Sequence, residues 1–250
     1  MKKLEIGCAL ALVALLGACA TGSPSAAEPS ATSSAETAAS VEPTNGSAYP
    51  RMAGPLEAGT HVLIAESSAL DPILVRVQLP DHWAGSDGFV LITGGGISSR
   101  QGAAIQFWGA PDYTYTDACH WSTTQFPVEK TVDFMASALA AQQPRHASTP
   151  REISVGDRRA IEIQLSVPDD VVPSTCDLYE GDGFFQSWHY GSGESARYHQ
   201  GPGQQDLIRL VDVDGRLVII DAATWPELPD GTRAELMAVL DSLSIDLPPE

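Results

Sequence analysis

Between Ala20 and Tyr49 the chain is built almost entirely from Ala, Ser, Thr, Pro, Gly and Glu, with no aromatic residue before Tyr49. A stretch of that composition buries too little apolar surface to offset the entropy of ordering it, and it reads as a disordered tether. What can fold is therefore confined to about 200 residues, from Arg51 to Glu250, a size that suits one domain with one core. A flexible coil of about 30 residues has an end-to-end distance of roughly 30 Å, so the tether acts first as a spacer. Asn45-Gly46-Ser47 fits a glycosylation acceptor but reads as a linker turn.

Ahead of the tether, Lys2 and Lys3 give a positive start, Ile6 to Leu16 form an apolar run, and Gly17 and Ala18 precede Cys19. That is the three-part pattern of an export signal over residues 1–18. The run is too short to be a permanent span, which needs about 20 apolar residues. Leu16-Gly17-Ala18-Cys19 resembles the lipobox of bacterial lipoproteins. The resemblance implies that Cys19 is acylated by palmitate-type chains, becomes the first mature residue and anchors the protein to the cell membrane at its outer, extracytoplasmic face. Cys8 lies too early for this role, with Glu5 three positions before it. The expected organisation is a signal peptide at 1–18, a lipidated Cys and tether at 19–50, and a single extracytoplasmic α+β domain at 51–250.

Removing Lys2, Lys3 and Glu5 from 14 basic and 32 acidic residues leaves 12 and 31, a formal charge of −19. Such a surface has no basic patch to displace counterions from phosphates, so nucleic acid is not expected as a partner. Anionic headgroups are repelled too, and attachment must come from the acyl chains. Two cysteines remain beyond the tether, Cys119 and Cys176. In an exported domain this even count points to a disulfide, and neither residue sits in a CxxC pair or at metal-ligand spacing.

Hydrophobic periodicity predicts mostly strands. Thr60 to Ala65 alternates, as do Ile73, Val75, Val77 and Leu79. Phe89 to Thr93 and Ala104 to Trp108 read as a pair joined by Gly94 to Gly102, a long flexible hairpin loop; without a Gly-Lys-Ser/Thr ending or a following helix it is no phosphate loop. Thr131 caps a helix with Val132, Met135 and Leu139 on one face and Pro144 as its stop. Ile161, Ile163 and Leu165 mark another strand, and Gly183 to Trp188 a further one. In the clearest hairpin, Leu207, Arg209, Val211 and Val213 enter an Asp214-Gly215 turn and Leu217 to Ile220 leave it; Asp212 to Gly215 lacks the ligands of a calcium loop. Thr232-Arg233-Ala234-Glu235 reads as a capping box opening a helix with Leu236, Leu240 and Leu243 in a stripe.

A strand entering Leu79-Pro80-Asp81-His82-Trp83, and a strand pair leading to a closing helix through Ala234-Glu235-Leu236 and Leu240-Asp241-Ser242-Leu243, resemble the Mog1/PsbP-like α/β domain. Asp117-Ala118-Cys119-His120-Trp121, Ser174-Thr175-Cys176-Asp177 and Tyr198-His199-Gln200-Gly201-Pro202-Gly203-Gln204 are similar to a group of actinobacterial extracytoplasmic domains of unknown function. The first resemblance implies an α+β sandwich, mainly antiparallel sheet covered by two or more helices. It implies no chemistry, because fold does not fix function.

Catalytic patterns fail on spacing. Gly191 to Arg197 is not a nucleophile elbow, no HExxH occurs, and SxxK is absent, Lys130 being the one lysine beyond the signal. No catalytic residue, metal ligand or cofactor is assigned. His120, His189 and His199, with Asp117 or Asp177, are the set that could converge as a metal site. Aromatic residues crowd the segments around the cysteines, and Trp121, Trp188, Tyr190, Tyr198 and His199, with the Gly201-Pro202-Gly203 loop, are the candidate ligand-binding residues. The expected function is a membrane-anchored, non-enzymatic binding or sensory domain for a protein, glycan or small molecule. The alternatives are an extracytoplasmic hydrolase or metal-dependent enzyme using His and Asp, marked by a pocket with a converging His/Asp/Ser set, and a structural accessory of an envelope complex.

Overall fold

The computed structural model describes residues 53–65, 73–86, 89–179, 181–191 and 195–247. Cys19, the signal and the tether lie outside them. The centre is a nine-stranded antiparallel sheet whose main path runs Gly54–Pro55, Ala84–Ser86, Val90–Thr93, Ala103–Trp108, Arg216–Thr224, Gln205–Val213, Arg158–Ser166 and Arg151–Val155, with His146–Ala147 beside the 158–166 strand. The Gln205–Val213 and Arg216–Thr224 strands form its spine, in register from Gln205 opposite Thr224 to Val213 opposite Arg216. Their turn is the one expected: Asp214 and Gly215 both take positive φ, 54° and 84°, which matches the twist of the flanking strands.

Both faces of this sheet are covered, which is why the 216–224 strand is buried at nearly every position rather than alternately. Val218, Ile220 and Ala222 point to one side, where they pack with a three-stranded sheet of Gly59–Ala65, Ile73–Leu79 and Ser244–Asp246 and with Leu236, Val239 and Leu240 of the Asp230–Asp241 helix. Leu217 and Ile219 point to the other, against Met135 and Leu139 of the Val132–Ala141 helix and Trp188. Trp188 belongs to a four-stranded sheet ordered Ser195–His199, Phe185–Tyr190, Tyr113–Tyr115 and Gln125–Pro127. Smaller sheets therefore share the covering with single helices, and the expected sheet covered by helices is corrected to a mainly antiparallel arrangement with few helices.

Several local expectations change for definable reasons. Thr131 does cap its helix, its side chain accepting from the Phe134 N–H at 3.3 Å. Thr232 caps nothing. The last helix begins two residues earlier at Asp230, behind Pro229, and Glu235 instead accepts the Trp83 indole N–H at 2.8 Å and meets His82 Nε2 at 3.1 Å. The Gly94 to Gly102 hairpin is folded tightly on itself: a Cβ at Gly102 would stand 2.3 Å from the Gly96 carbonyl oxygen, and the Trp225 indole donates to the Ile97 carbonyl at 2.8 Å. Cys119 and Cys176 are bonded, with Cα atoms 4.5 Å apart.

Candidate functional site

The two strands of the spine each carry an aspartate in their inward register. Asp206 follows the Ile208 and Leu210 face, and Asp221 the Leu217 and Ile219 face, so both point between the nine-stranded and four-stranded sheets and are 0% exposed. A buried carboxylate survives only if paired and hydrogen-bonded. Arg145 donates to Asp206 Oδ2 through Nη2 at 2.7 Å, and Arg197 donates to Asp206 Oδ1 at 2.9 Å and to Asp221. Gln204 adds a bond to Asp206 Oδ1 at 2.7 Å. Two guanidinium groups and two carboxylates thus close a charge-balanced cluster.

His199 and Ser187 complete it. His199 Nδ1 lies 3.1 Å from Asp206 Oδ2, and Nε2 lies 2.7 Å from Ser187 Oγ. Burial, reinforced by the Arg145 charge, pushes His199 down to about 3, so the ring is neutral, donating to Asp206 and accepting from the serine hydroxyl. Burial opposes ionisation of Asp206, yet His199, Arg197 and Arg145 hold it well below the usual carboxylate range. Asp221, bonded through one oxygen only, is pushed up by burial to about 6.

Ser187, His199 and Asp206 have the order and roles of a nucleophilic triad, and sequence spacing gave no hint of it. The surroundings silence it. Ser187 is 0% exposed, and Arg145 Nη1 donates to its oxygen while also standing 3.1 Å from His199 Nε2. A substrate carbonyl carbon would have to come within about 3 to 3.5 Å of that oxygen. Arginine and the sheet occupy the approach, and the hydroxyl works as a link in the packed network.

The residues expected to build one binding surface are dispersed. Trp188 is 0% exposed in the core, edge-on to Trp108 at 6.2 Å, and His199 is 3% exposed in the cluster just described; neither meets solvent. Gly201 and Gly203 are buried in a turn pinned to Val167, with Gly203 N–H donating to its carbonyl at 3.1 Å. Trp121 and Tyr198 are half-buried near the disulfide: the Trp121 indole donates to the Phe184 carbonyl at 3.1 Å, and the Phe184 and Tyr198 rings stand 5.2 Å apart. The three histidines go to separate partners. His120 bonds Asp117, and His189 Nδ1 shares a hydrogen bond with the Tyr115 hydroxyl at 2.6 Å in a stack with Tyr113. Burial lowers His189, and among the described residues no three His, Cys, Asp or Glu side chains gather as a metal would require.

Tyr190, one of the five, lines a cleft. About 580 Å³ in volume, it opens where the turn of the long hairpin meets the end of the four-stranded sheet. Gly109, Ala110 and Asp112 form one wall, Tyr190 and Ser195 another, and Gly215, Arg216 and Leu217 the turn side. Tyr190 is fixed: its ring lies nearly parallel to Trp108 at 6.1 Å, and its hydroxyl donates to the Gly109 carbonyl at 2.8 Å. Lys130 Nζ bonds Asp112 at 3.0 Å at the rim. The Gly191 N–H and Lys130 together hold Asp112 below its ordinary range.

No protein-family model matches the chain, and no curated protein matches it. Among solved structures it is similar to cyanobacterial PsbP (CyanoP) from Synechocystis sp. PCC 6803, with 12% identity over 76% of this chain and 94% of that one and a TM-score of 0.35. A likeness of that extent carries no argument about function.

Proposed function

We propose that the domain is a non-enzymatic binding or sensory module, held at the outer face of the cell membrane through Cys19, and that its ligand occupies the cleft beside Tyr190. The observation that carries this reading is the cleft itself: its volume falls within the range of small-molecule sites, and a preset aromatic ring stands among a few polar groups. The lipid anchor and the tether place such a module where envelope glycans, peptides and small solutes are encountered. Ala110→Trp tests the reading by filling the cleft from a half-buried rim position. In saturation-transfer NMR against a library of envelope sugars and short peptides, the native chain should give ligand signals that Ala110→Trp loses with its melting temperature unchanged. Signals that persist in the variant would overturn the assignment.

The hydrolase reading retains one observation, the Ser187, His199 and Asp206 alignment. A fluorophosphonate probe measures it directly. The buried, arginine-bound serine should remain unlabelled in the native chain, and stoichiometric labelling lost in Ser187→Ala would make the protein a serine hydrolase.

A further inference from the structure

Around the buried Cys176 the chain projects into solvent, with Val172, Ser174, Thr175, Leu178, Gly181 and Asp182 all exposed. Val172 is 54% exposed and Leu178 61%, and they are the exposed large apolar side chains among the described residues. Both stand on one tip. Leu178 pairs with Gly183, and Gly183 packs so closely on the Pro173 carbonyl oxygen, next to Val172, that a Cβ there has no room. The tip is held by its own bonds. The Thr175 N–H and hydroxyl donate to the Val172 carbonyl at 2.9 and 2.8 Å, and Cys176 N–H donates to the Pro173 carbonyl at 2.9 Å. Beside the disulfide, Asp177 N–H donates to the Cys119 carbonyl at 2.8 Å. Two apolar side chains are thus presented on ordered backbone, which loses little freedom when a partner covers them.

The rim of the tip has one sign. From Ala160 to Ala196 the sequence holds no Lys or Arg, while Asp169, Asp170, Asp177, Glu180 and Asp182 fall within the tip itself. Bases from elsewhere in the fold are engaged. Arg100, which shares the flank of Gly203 with Asp169, pairs with Glu227 at 3.5 Å, and Arg145 and Arg197 are held by Asp206 and Asp221 in the core. Beyond the signal, the residues outside the described ones add a single base, Arg51.

We infer that this tip docks into a folded protein partner, with Val172 and Leu178 entering an apolar pocket bordered by Lys or Arg. An apolar centre inside a charged rim is the anatomy of a specific interface. A projecting tip suits a pocket on a macromolecule, whereas a small molecule needs a concavity. A bilayer would strip water from Asp170 and Asp182, and a second copy in a two-fold contact would set the same acids against each other. A basic rim on the partner meets them instead. The inference is independent of the cleft beside Tyr190.

The experiment places a benzophenone side chain at position 178 of the full chain in the cells that produce it, with exposed Ser154 of the sheet edge as the control position. Irradiation should give a protein adduct at 178 that is absent at 154, and mass spectrometry should find Lys or Arg beside the cross-linked residue of the partner. Asp170→Lys with Asp182→Lys should cut that adduct at least tenfold with the melting temperature unchanged, because charge reversal at a rim acts on encounter. Where the double reversal lowers the melting temperature, Asp170→Asn with Asp182→Asn should act in the same direction. Against the purified partner, Val172→Ser should raise Kd about tenfold, as truncating a buried anchor does. An adduct with lipid or with a second copy of this chain overturns the inference, as does one that both charge variants leave intact. The absence of any adduct above the Ser154 background overturns it too.

Discussion

Asp206 is the carboxylate on which the buried cluster turns, and Asp206→Asn removes its charge while keeping its volume. The side chain takes donors from Arg145 at 2.7 Å, Arg197 at 2.9 Å and Gln204 at 2.7 Å, all shielded from water. After substitution the two guanidinium groups face Asp221 alone, which leaves one buried positive charge uncompensated. Removing one partner of a buried ion pair costs about 3 to 5 kcal/mol, and at about 2 to 4 °C per kcal/mol for a domain of this size the melting point should fall by roughly 6 to 20 °C. Urea denaturation followed by tryptophan fluorescence gives the free energy, with an unchanged slope showing that the unfolded state is unaltered. Asp206→Asn combined with Arg145→Leu restores the charge balance, so the pair should cost less than the sum of the single substitutions by about 1 kcal/mol or more. Strict additivity, or a loss below about 1 kcal/mol for Asp206→Asn, would refute the claim that the cluster is a coupled, desolvated unit.

The acid response of the same cluster has a definite sign. His199 is lowered from 6.5 to about 3, so its contribution is complete above pH 6.5 and is lost as the pH falls toward 3, while Asp221, raised from 3.8 to about 6, stabilises the fold as the pH falls from 6 to 3.8. Calorimetric melting of His199→Gln should consequently show a gain between pH 6 and 4 relative to the native profile, and two superimposable profiles would contradict it. Trp188→Ala should destabilise the fold by about 3 to 5 kcal/mol in chemical denaturation, because a fully buried indole is replaced by a cavity; a change near zero would put Trp188 at the surface. Cys19→Ser should abolish incorporation of labelled palmitate and release the protein from the membrane fraction or leave it unprocessed, and continued labelling would exclude Cys19 as the acceptor.

Strand positions were legible because they rest on short-range periodicity and turn chemistry: Ile73 to Leu79, the Asp214-Gly215 hairpin and the Thr131 cap fall where the pattern puts them. Layering was not. Leu207, Arg209, Val211 and Val213 read as the buried face of a half-exposed strand, but Ile208 and Leu210 are buried on the opposite face, and only a sheet covered on both sides explains that. The cluster left a signal that could have been followed, since Asp206 and Asp221 each occupy the inward register of a hydrophobic strand, where a carboxylate must have a buried cation. Arg145 lies 61 residues from Asp206, and Arg197, only nine residues before it, belongs to a different sheet, so no strand periodicity links the partners. Trp188 and His199 read as surface groups because aromatic and polar composition is the same for a binding face and for a core seam with a polar end.

The central claim, that the cleft beside Tyr190 is where this domain meets its ligand, is tested most directly by mapping amide chemical-shift changes in the isotope-labelled full chain as soluble cell-envelope sugars and peptides are added. The account predicts saturable changes concentrated at Gly109, Ala110, Tyr190, Gly215 and Leu217. Changes concentrated instead at Trp121, Phe184 and Tyr198, with the cleft amides unmoved, would contradict it.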